Sequence, residues 1–318
     1  MNKNSKIYIT GHKGMVGSAL LQKLNILGYS NILVKSRTEL DLRDQSQVKK
    51  IFESEKPEYV FIIAAKVGGI SANMKYPAEY LYDNLMIQNN LIHHSHIFDV
   101  KKIIFLGSSC IYPKDSPQPM KEEYLLTGPL EPTNEGYAIA KISGLKLLEF
   151  YHKQYGTSYL SLMPSNLYGP GDSFDPSHSH VLSATVKKFV DAIMENKEEV
   201  VMWGSGIACR EFLNVNDLVD IMFNLLDKNI TIENFINVGP GEDISIKELA
   251  ELVASLTGYK GKILWDTTKP NGMLKKCMEV SKMKSLGLIP KISLEDGIKQ
   301  MIVDYKNIVL KNNLSLEK

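Results

Sequence analysis

Cysteine is scarce: the chain of 318 residues holds three, Cys110, Cys209 and Cys277. Three cannot all pair internally and none forms a C-x-x-C, which argues against a disulfide scaffold or a zinc ribbon. Long apolar runs are missing too. No stretch of about eighteen apolar residues is available to span a bilayer, and the polar start, Met1 to Lys6, carries no signal-peptide core. The expectation is a cytoplasmic, reduced protein with no membrane partner. There is no charge excess either: 37 Lys plus Arg against 36 Asp plus Glu leave a formal net charge of +1. A nucleic-acid partner therefore gains no support. Fixed-period repeats and low-complexity tracts are absent. What is present is ordinary for an enzyme or a neutral binding module: 44% hydrophobic and 23% charged residues, enough apolar material to offset chain entropy.

The first half alternates strand and helix patterns. Short strands are expected at 7–10 and 31–35, with helices at 14–27 and 45–54 between and after them. Tyr59-Val60-Phe61-Ile62-Ile63 is a continuous apolar run, as in a strand buried on both faces. A long helix at 77–98, a strand at 102–106, a helix at 136–155 and a strand at 158–162 follow. This βαβαβ order predicts an α/β fold with a doubly wound parallel sheet. Beyond Met163 glycine-rich loops alternate with helices at 181–195, 216–226, 245–256 and 294–309. A smaller mixed α/β lobe is expected there. The division is 1–165 for a dinucleotide-binding domain, with return segments near 211–240, and 166–318 for a substrate-binding lobe.

The first strand runs into Gly11-His12-Lys13-Gly14-Met15-Val16-Gly17 and then a helix. The G-x-x-G-x-x-G spacing permits a tight turn and close backbone approach to a pyrophosphate, which the helix N-terminus then faces. Strand before, helix after and a place in the first βαβ unit are the context this motif requires. A Rossmann-type dinucleotide site is the reading. NAD binders usually end the second strand on an acid; this one ends Val34-Lys35-Ser36-Arg37. Arg37, with Lys13, suits a 2′-phosphate, so NADP(H) is expected; solvated surface charge is the plain alternative for both. Asp41 and Leu42 are placed to flank the adenine.

Tyr137 and Lys141 stand four apart on a predicted helix and share a face. A neighbouring ammonium is expected to lower the phenol pKa, and the lysine can hold the nicotinamide ribose. Ser108, at the end of the fourth strand, can donate to a carbonyl oxygen as charge develops. A hydride donor, a phenol and a serine around one carbonyl make a ketone reductase. The His93-His94-x-His96 group fans around its helix, and no metal site is expected.

The glycine turn, Ser108 and Tyr137-x-x-x-Lys141 together resemble the extended short-chain dehydrogenase/reductase family. Longer stretches resemble its GDP-4-keto-6-deoxy-mannose 3,5-epimerase/4-reductase branch: Ala64-Ala-Lys-Val-Gly-Gly-Ile70, Gly107-Ser-Ser-Cys-Ile-Tyr-Pro113, Glu131-Pro-Thr-Asn-Glu135 and Asn166-Leu-Tyr-Gly-Pro170. The resemblance implies NADPH-dependent 3,5-epimerisation and 4-keto reduction giving GDP-L-fucose. It adds Met15, Val16, Ala64, Ala65 and Pro164 to the cofactor set, and implies a homodimer through the two long helices. A ketone at C4 makes the C3 and C5 protons acidic, and inverting each centre takes two acid–base groups. Cys110, beside Ser108, is one candidate; a buried structural thiol is its alternative. His180 matches the family's acid–base histidine, with His178 a weaker candidate. Asn166, Lys188, Trp203, Arg210 and Asn271 match substrate-binding positions. Gly136 stands where many relatives carry proline, and Asn271 where aspartate is commoner. These departures keep the same or partial chemistry on a GDP-4-keto heptose or dideoxy sugar open, and a non-catalytic NADP sensor is the alternative from another class.

Overall fold

Apolar β-branched and aromatic runs build the central sheet, because strands covered on both faces need side chains that pack on either side. The structure, a computed structural model, describes residues 1–175, 179–228, 230, 232, 234–269, 271 and 273–316. The first half contains β1 (Ile7–Ile9), β2 (Ile32–Val34), β3 (Tyr59–Ile62), β4 (Lys102–Leu106) and β5 (Tyr159–Pro164). Between and after them run α1 (Met15–Ile26), α2 (Gln45–Glu55), α3 (Ile70–Lys75), α4 (Pro77–Ile97) and α5 (Glu135–Tyr155). The second half holds β6 (Asn166–Tyr168), β7 (Glu199–Trp203), β8 (Cys209–Arg210), β9 (Phe212–Asn214), β10 (Ile236–Val238), β11 (Ile244–Ser245), β12 (Lys262–Asp266) and β13 (Lys275–Lys276). Its helices are α6 (Val181–Met194), α7 (Val215–Asp227), α8 (Ile246–Thr257), α9 (Ser281–Ser285) and α10 (Leu294–Leu316).

The main sheet has the order β2-β1-β3-β4-β5-β10, and every neighbouring pair in it is parallel. The chain steps from β1 to β2 on one side and then crosses to β3 on the other. That reversal opens a crevice at the carboxyl ends of β1 and β3, where ligands of such sheets bind. Helices α1 and α7 pack together, while α2, α4 and α5 form a second packed set. Capping fixes several helix starts: the Asp44 carboxylate accepts from the Ser46 and Gln47 amides ahead of α2, and Ser245 and Glu248 form a capping box on α8.

Two hydrophobic cores result. The larger holds Tyr8, Phe52, Phe61 and Phe105, and draws in Leu213, Leu218, Met222, Phe235, Met278 and Met283 from the second half. The smaller gathers Tyr168, Phe189, Val200, Leu249 and Ile298 under α6, α8 and α10. Small sheets lie outside the main one: β12 with β7, β6 with β9, and β11-β8-β13. The β6–β9 pair, in which Asn166 registers with Phe212, lies just beyond the end of β5.

Candidate active site

The glycine turn sits in the crevice between β1 and β3. Gly11 has φ +72°, and a Cβ there would lie 3.0 Å from the Ala64 backbone. At Gly17 a Cβ would come within 2.2 Å of the Gly11 carbonyl oxygen. One glycine lets the strands converge and the other lets α1 press on the turn. Gly14 is the N-cap of α1, with no side chain bonded to the helix amides. Those free N–H groups are suited to an anion. A cavity of about 290 Å³ opens here, lined by Gly11, His12, Lys13, Gly14, Arg37, Asp41, Leu42, Ala64 and Ala65 among others. His12 carries a buried Nδ1 with no hydrogen-bond partner. Lys13 and Arg37 are both exposed at its rim. Arg43 forks onto the Asp41 carboxylate, its Nη2 2.7 Å away, so that acid is already paired. Its carboxyl is held below the ordinary range, first by the Arg43 hydrogen bond.

The second cluster lies at the carboxyl end of β4. The strand gives way to a 3-10 turn, Ser109–Ile111, and the Ser108 hydroxyl caps it by accepting from the Cys110 amide at 3.4 Å. Cys110 is 7% exposed, and burial pushes its thiol up while Lys276, Ser108 and Lys141 pull the other way. From α5, Lys141 donates to the Leu106 carbonyl at 2.8 Å and stands 5.8 Å from the Tyr137 ring centre. Burial brings the Lys141 ammonium down to about 8. The same burial pushes the Tyr137 phenol up, with Cys110 and Tyr80 adding to it. The expected lowering of the phenol pKa by the lysine does not occur in this geometry: removal from water dominates, and Lys141 is not among the groups that act on the phenol. Tyr137 is a neutral donor at neutral pH, the form a carbonyl reduction requires.

His180 stands apart. It is the exposed N-cap residue of α6, and its charge acts on Asp172, whose carboxyl burial pushes up. No described contact links it to Cys110 or Tyr137. His178 lies outside the described residues. Two of the other histidines pack between α4 and α5: His93 meets the Tyr151 hydroxyl at 2.7 Å, and His96 stacks on Tyr155.

The residues expected at the substrate end fall around β8 and the β7–β12 pair. Asn166 donates from Nδ2 to the Glu211 carbonyl at 2.8 Å. Arg210 donates to the Met273 and Cys209 carbonyls at 2.6 and 2.7 Å, and burial pulls its pKa down. Trp203 is 66% exposed, with the ammonium groups of Lys188 and Lys269 at 5.7 and 5.8 Å from its ring. An exposed indole between two cations offers a flat face and charge to a base and its phosphates. The Asn271 amide oxygen is taken up by Ser205, accepting from its amide at 2.8 Å and its hydroxyl at 3.1 Å. Its contribution there is a clasp between two loops.

Lys276 was not foreseen. It sits on β13, which pairs in parallel with β8 beside Arg210. Burial lowers its pKa, and it lies within electrostatic reach of Cys110, Arg210, Glu131 and Glu211. It thus connects the Cys110 cluster to the Arg210 end.

Comparison with known proteins gives the family. The profile of the NAD dependent epimerase/dehydratase family matches residues 7–239. GDP-L-fucose synthase 1 of Arabidopsis thaliana is 51% identical over 308 residues, covering 96% of this chain and 95% of its own. The GDP-L-fucose synthase of Escherichia coli K12 is 48% identical over 301 residues, 92% and 94% of the two chains. Among solved structures, a GDP-mannoheptose C4 reductase from Campylobacter jejuni with NADP bound superposes with a TM-score of 0.89 at 40% identity, over 96% of this chain and 99% of its own. The chain belongs to the NAD dependent epimerase/dehydratase family, on a Rossmann-type sheet.

Proposed function

We propose that this protein is an NADPH-dependent epimerase/reductase that turns GDP-4-keto-6-deoxy-mannose into GDP-L-fucose. The observation that carries the reading is the convergence of Ser108, Cys110, Tyr137, Lys141 and Lys276 at the end of β4, with Cys110 and Lys141 buried. A reductase needs the serine, phenol and lysine; the thiol beside them suits an added proton transfer on carbon. GDP-L-fucose synthases at about half identity over nearly the whole chain support it.

NADPH, when bound, supplies the hydride for C4. Gly11, Gly14, Met15, Val16 and Gly17 would hold its pyrophosphate; Asp41, Leu42, Ala64 and Ala65 flank the adenosine half. Lys13 and Arg37 would take the 2′-phosphate, and Pro164, Tyr137 and Lys141 the nicotinamide end. Ser108 donates to the C4 oxygen while charge builds there, both in the enolate of epimerisation and in the reduction. Cys110 and His180 exchange the protons at C3 and C5. Tyr137 then gives its proton to the C4 oxygen. Residues 1–165 carry the cofactor and 166–318 most of the GDP-sugar contacts, through Asn166, Lys188, Trp203, Arg210 and Asn271.

A second reading, C4 reduction of a GDP-heptose, is favoured by the 40% identity to the mannoheptose reductase. One experiment separates the two: incubation of GDP-4-keto-6-deoxy-mannose with NADPH in deuterated water. GDP-L-fucose with deuterium at C3 and C5 is the expected product. A reduced sugar with neither centre exchanged refutes the epimerase.

The same proposal includes a homodimer. Tyr82 and Ile97 on α4 and Phe150 and Tyr155 on α5 are all more than half exposed, an apolar face of the kind a second copy covers. Light scattering on the purified protein tests it. A cytoplasmic setting is inferred from three cysteines that are all free.

A further inference from the structure

One buried carboxyl group plays no part in the chemistry above, yet several site segments meet on it. Glu211 is 1% exposed, in the link between β8 and β9. Its Oε1 accepts from the Gly241 amide at 2.7 Å and its Oε2 from the Met278 amide at 2.8 Å. Its backbone carbonyl accepts from the Asn166 amide at 3.2 Å and from Asn166 Nδ2 at 2.8 Å. One residue thus joins β6, the turn after β10, and the segment following β13. Asn166 is bonded to it directly, Arg210 is its neighbour in the chain, and Lys276 lies two residues before Met278.

We propose that Glu211 is a positioning residue for GDP-sugar binding: it sets the spacing of Asn166, Arg210 and Lys276 and ties substrate affinity to its own ionisation. The inference rests on the reading of Asn166 and Arg210 as substrate contacts, and takes Lys276, which registers with Arg210, as a third.

The chemistry follows from the two amides. A carboxylate accepts at both oxygens, so each N–H is satisfied. A protonated acid keeps one full acceptor, its carbonyl oxygen; the hydroxyl oxygen is a poorer acceptor, so one of the two bonds weakens. Burial pushes the Glu211 carboxyl up to about 7; the Gly241 and Met278 amides and Lys284 draw it down, and Asp243 pushes it further up. Lys276 and Cys277 also face it. As pH rises through this range the carboxylate forms and both bonds persist. As pH falls the clasp between β8 and the β13 segment loosens. The diphosphate diester of a GDP-sugar has no proton to exchange in that window.

Steady-state kinetics across pH 6 to 8.5 test the idea on the purified enzyme with GDP-4-keto-6-deoxy-mannose and NADPH. The wild-type KM for the GDP-sugar should fall as pH rises through about 7; a flat profile overturns the proposal without any variant. Glu211→Gln keeps the shape but turns an NH2 toward one amide. Its GDP-sugar KM should rise about tenfold, the effect of one hydrogen bond, with kcat and the NADPH KM nearly unchanged and the pH dependence of KM gone. Gly239→Ala presses on the same carboxyl from outside, because a Cβ there would lie 2.1 Å from Oε1, and should reproduce the KM rise. A persisting pH limb in Glu211→Gln, or a kcat that falls as far as KM rises, contradicts the positioning role. Arg210→Ala is the control for the underlying reading. If it leaves the GDP-sugar KM unchanged, the substrate assignment fails; if it raises KM while Glu211→Gln does not, only the role of Glu211 fails.

Discussion

Replacing Lys141 by methionine should destroy the reductase and yet stabilise the cofactor-free protein at neutral pH. Lys141 is 3% exposed, and its one described hydrogen bond goes to the Leu106 carbonyl at 2.8 Å. Burial brings its pKa from 10.5 to about 8. A base whose pKa is lower in the folded state binds fewer protons there than when unfolded, so stability rises with pH across the interval. The penalty is complete below about 8 and vanishes toward 10.5. At about 1.4 kcal/mol per pKa unit this amounts to roughly 3 kcal/mol at pH 7. Losing the bond to Leu106 gives back about 1 kcal/mol. Lys141→Met should therefore unfold at higher denaturant than wild type at pH 7, by about 2 kcal/mol, with the advantage shrinking as pH approaches 10. Urea titrations of the apo proteins at pH 7 and 10 provide the measurement. A variant less stable than wild type at pH 7, or a difference independent of pH, refutes the reasoning.

Three further outcomes are expected. Arg37→Ala combined with Lys13→Ala should raise the NADPH KM by about 10–100-fold and leave the NADH KM unchanged, an effect that fades with added salt; an unaltered NADPH preference removes both residues from the 2′-phosphate. Cys110→Ser and His180→Gln should slow solvent-deuterium exchange at C3 and C5, whereas Tyr137→Phe should slow NADPH oxidation by about 10²–10⁴-fold while exchange continues; full exchange in both of the first two variants ends their assignment. Gly17→Ala sets a Cβ 2.2 Å from the Gly11 carbonyl, so NADPH binding measured by fluorescence should be largely lost, with destabilisation of about 1–3 kcal/mol.

The sheet was legible because its strands are almost wholly apolar, as in Tyr59–Ile62 and Tyr159–Pro164. The cofactor turn was legible because glycine is required where Gly11 and Gly17 stand. Tyr137 and Lys141 stand out by their spacing together with their place after the fourth strand and the serine pair at its end. The electrostatics between them could not be read this way, since depth of burial, which sets the phenol's shift, is a tertiary property. The pairing of β12 with β7 and the strands β8, β11 and β13 escaped detection. Two-residue strands such as Lys275–Lys276 hold no period, and they form because β8 offers an edge. Lys276 went unnoticed with them: in Lys-Lys-Cys nothing marks which lysine turns inward. The short helix α3, Ile70–Lys75, was hidden in the glycine-rich stretch before Pro77.

The β7–β12 pair gives the protein an optical property. The chain has two tryptophans, Trp203 and Trp265, and both lie on this ribbon, where Trp265 registers with Met202 and Asp266 with Trp203. None is in the sheet that carries the glycine turn. Intrinsic tryptophan emission is therefore a local signal from the lobe assigned to the GDP-sugar, with Trp203 its exposed member. If the GDP-sugar site lies as proposed, guanine nucleotide quenches this emission without a label, and NADP⁺ at the glycine turn leaves it unchanged.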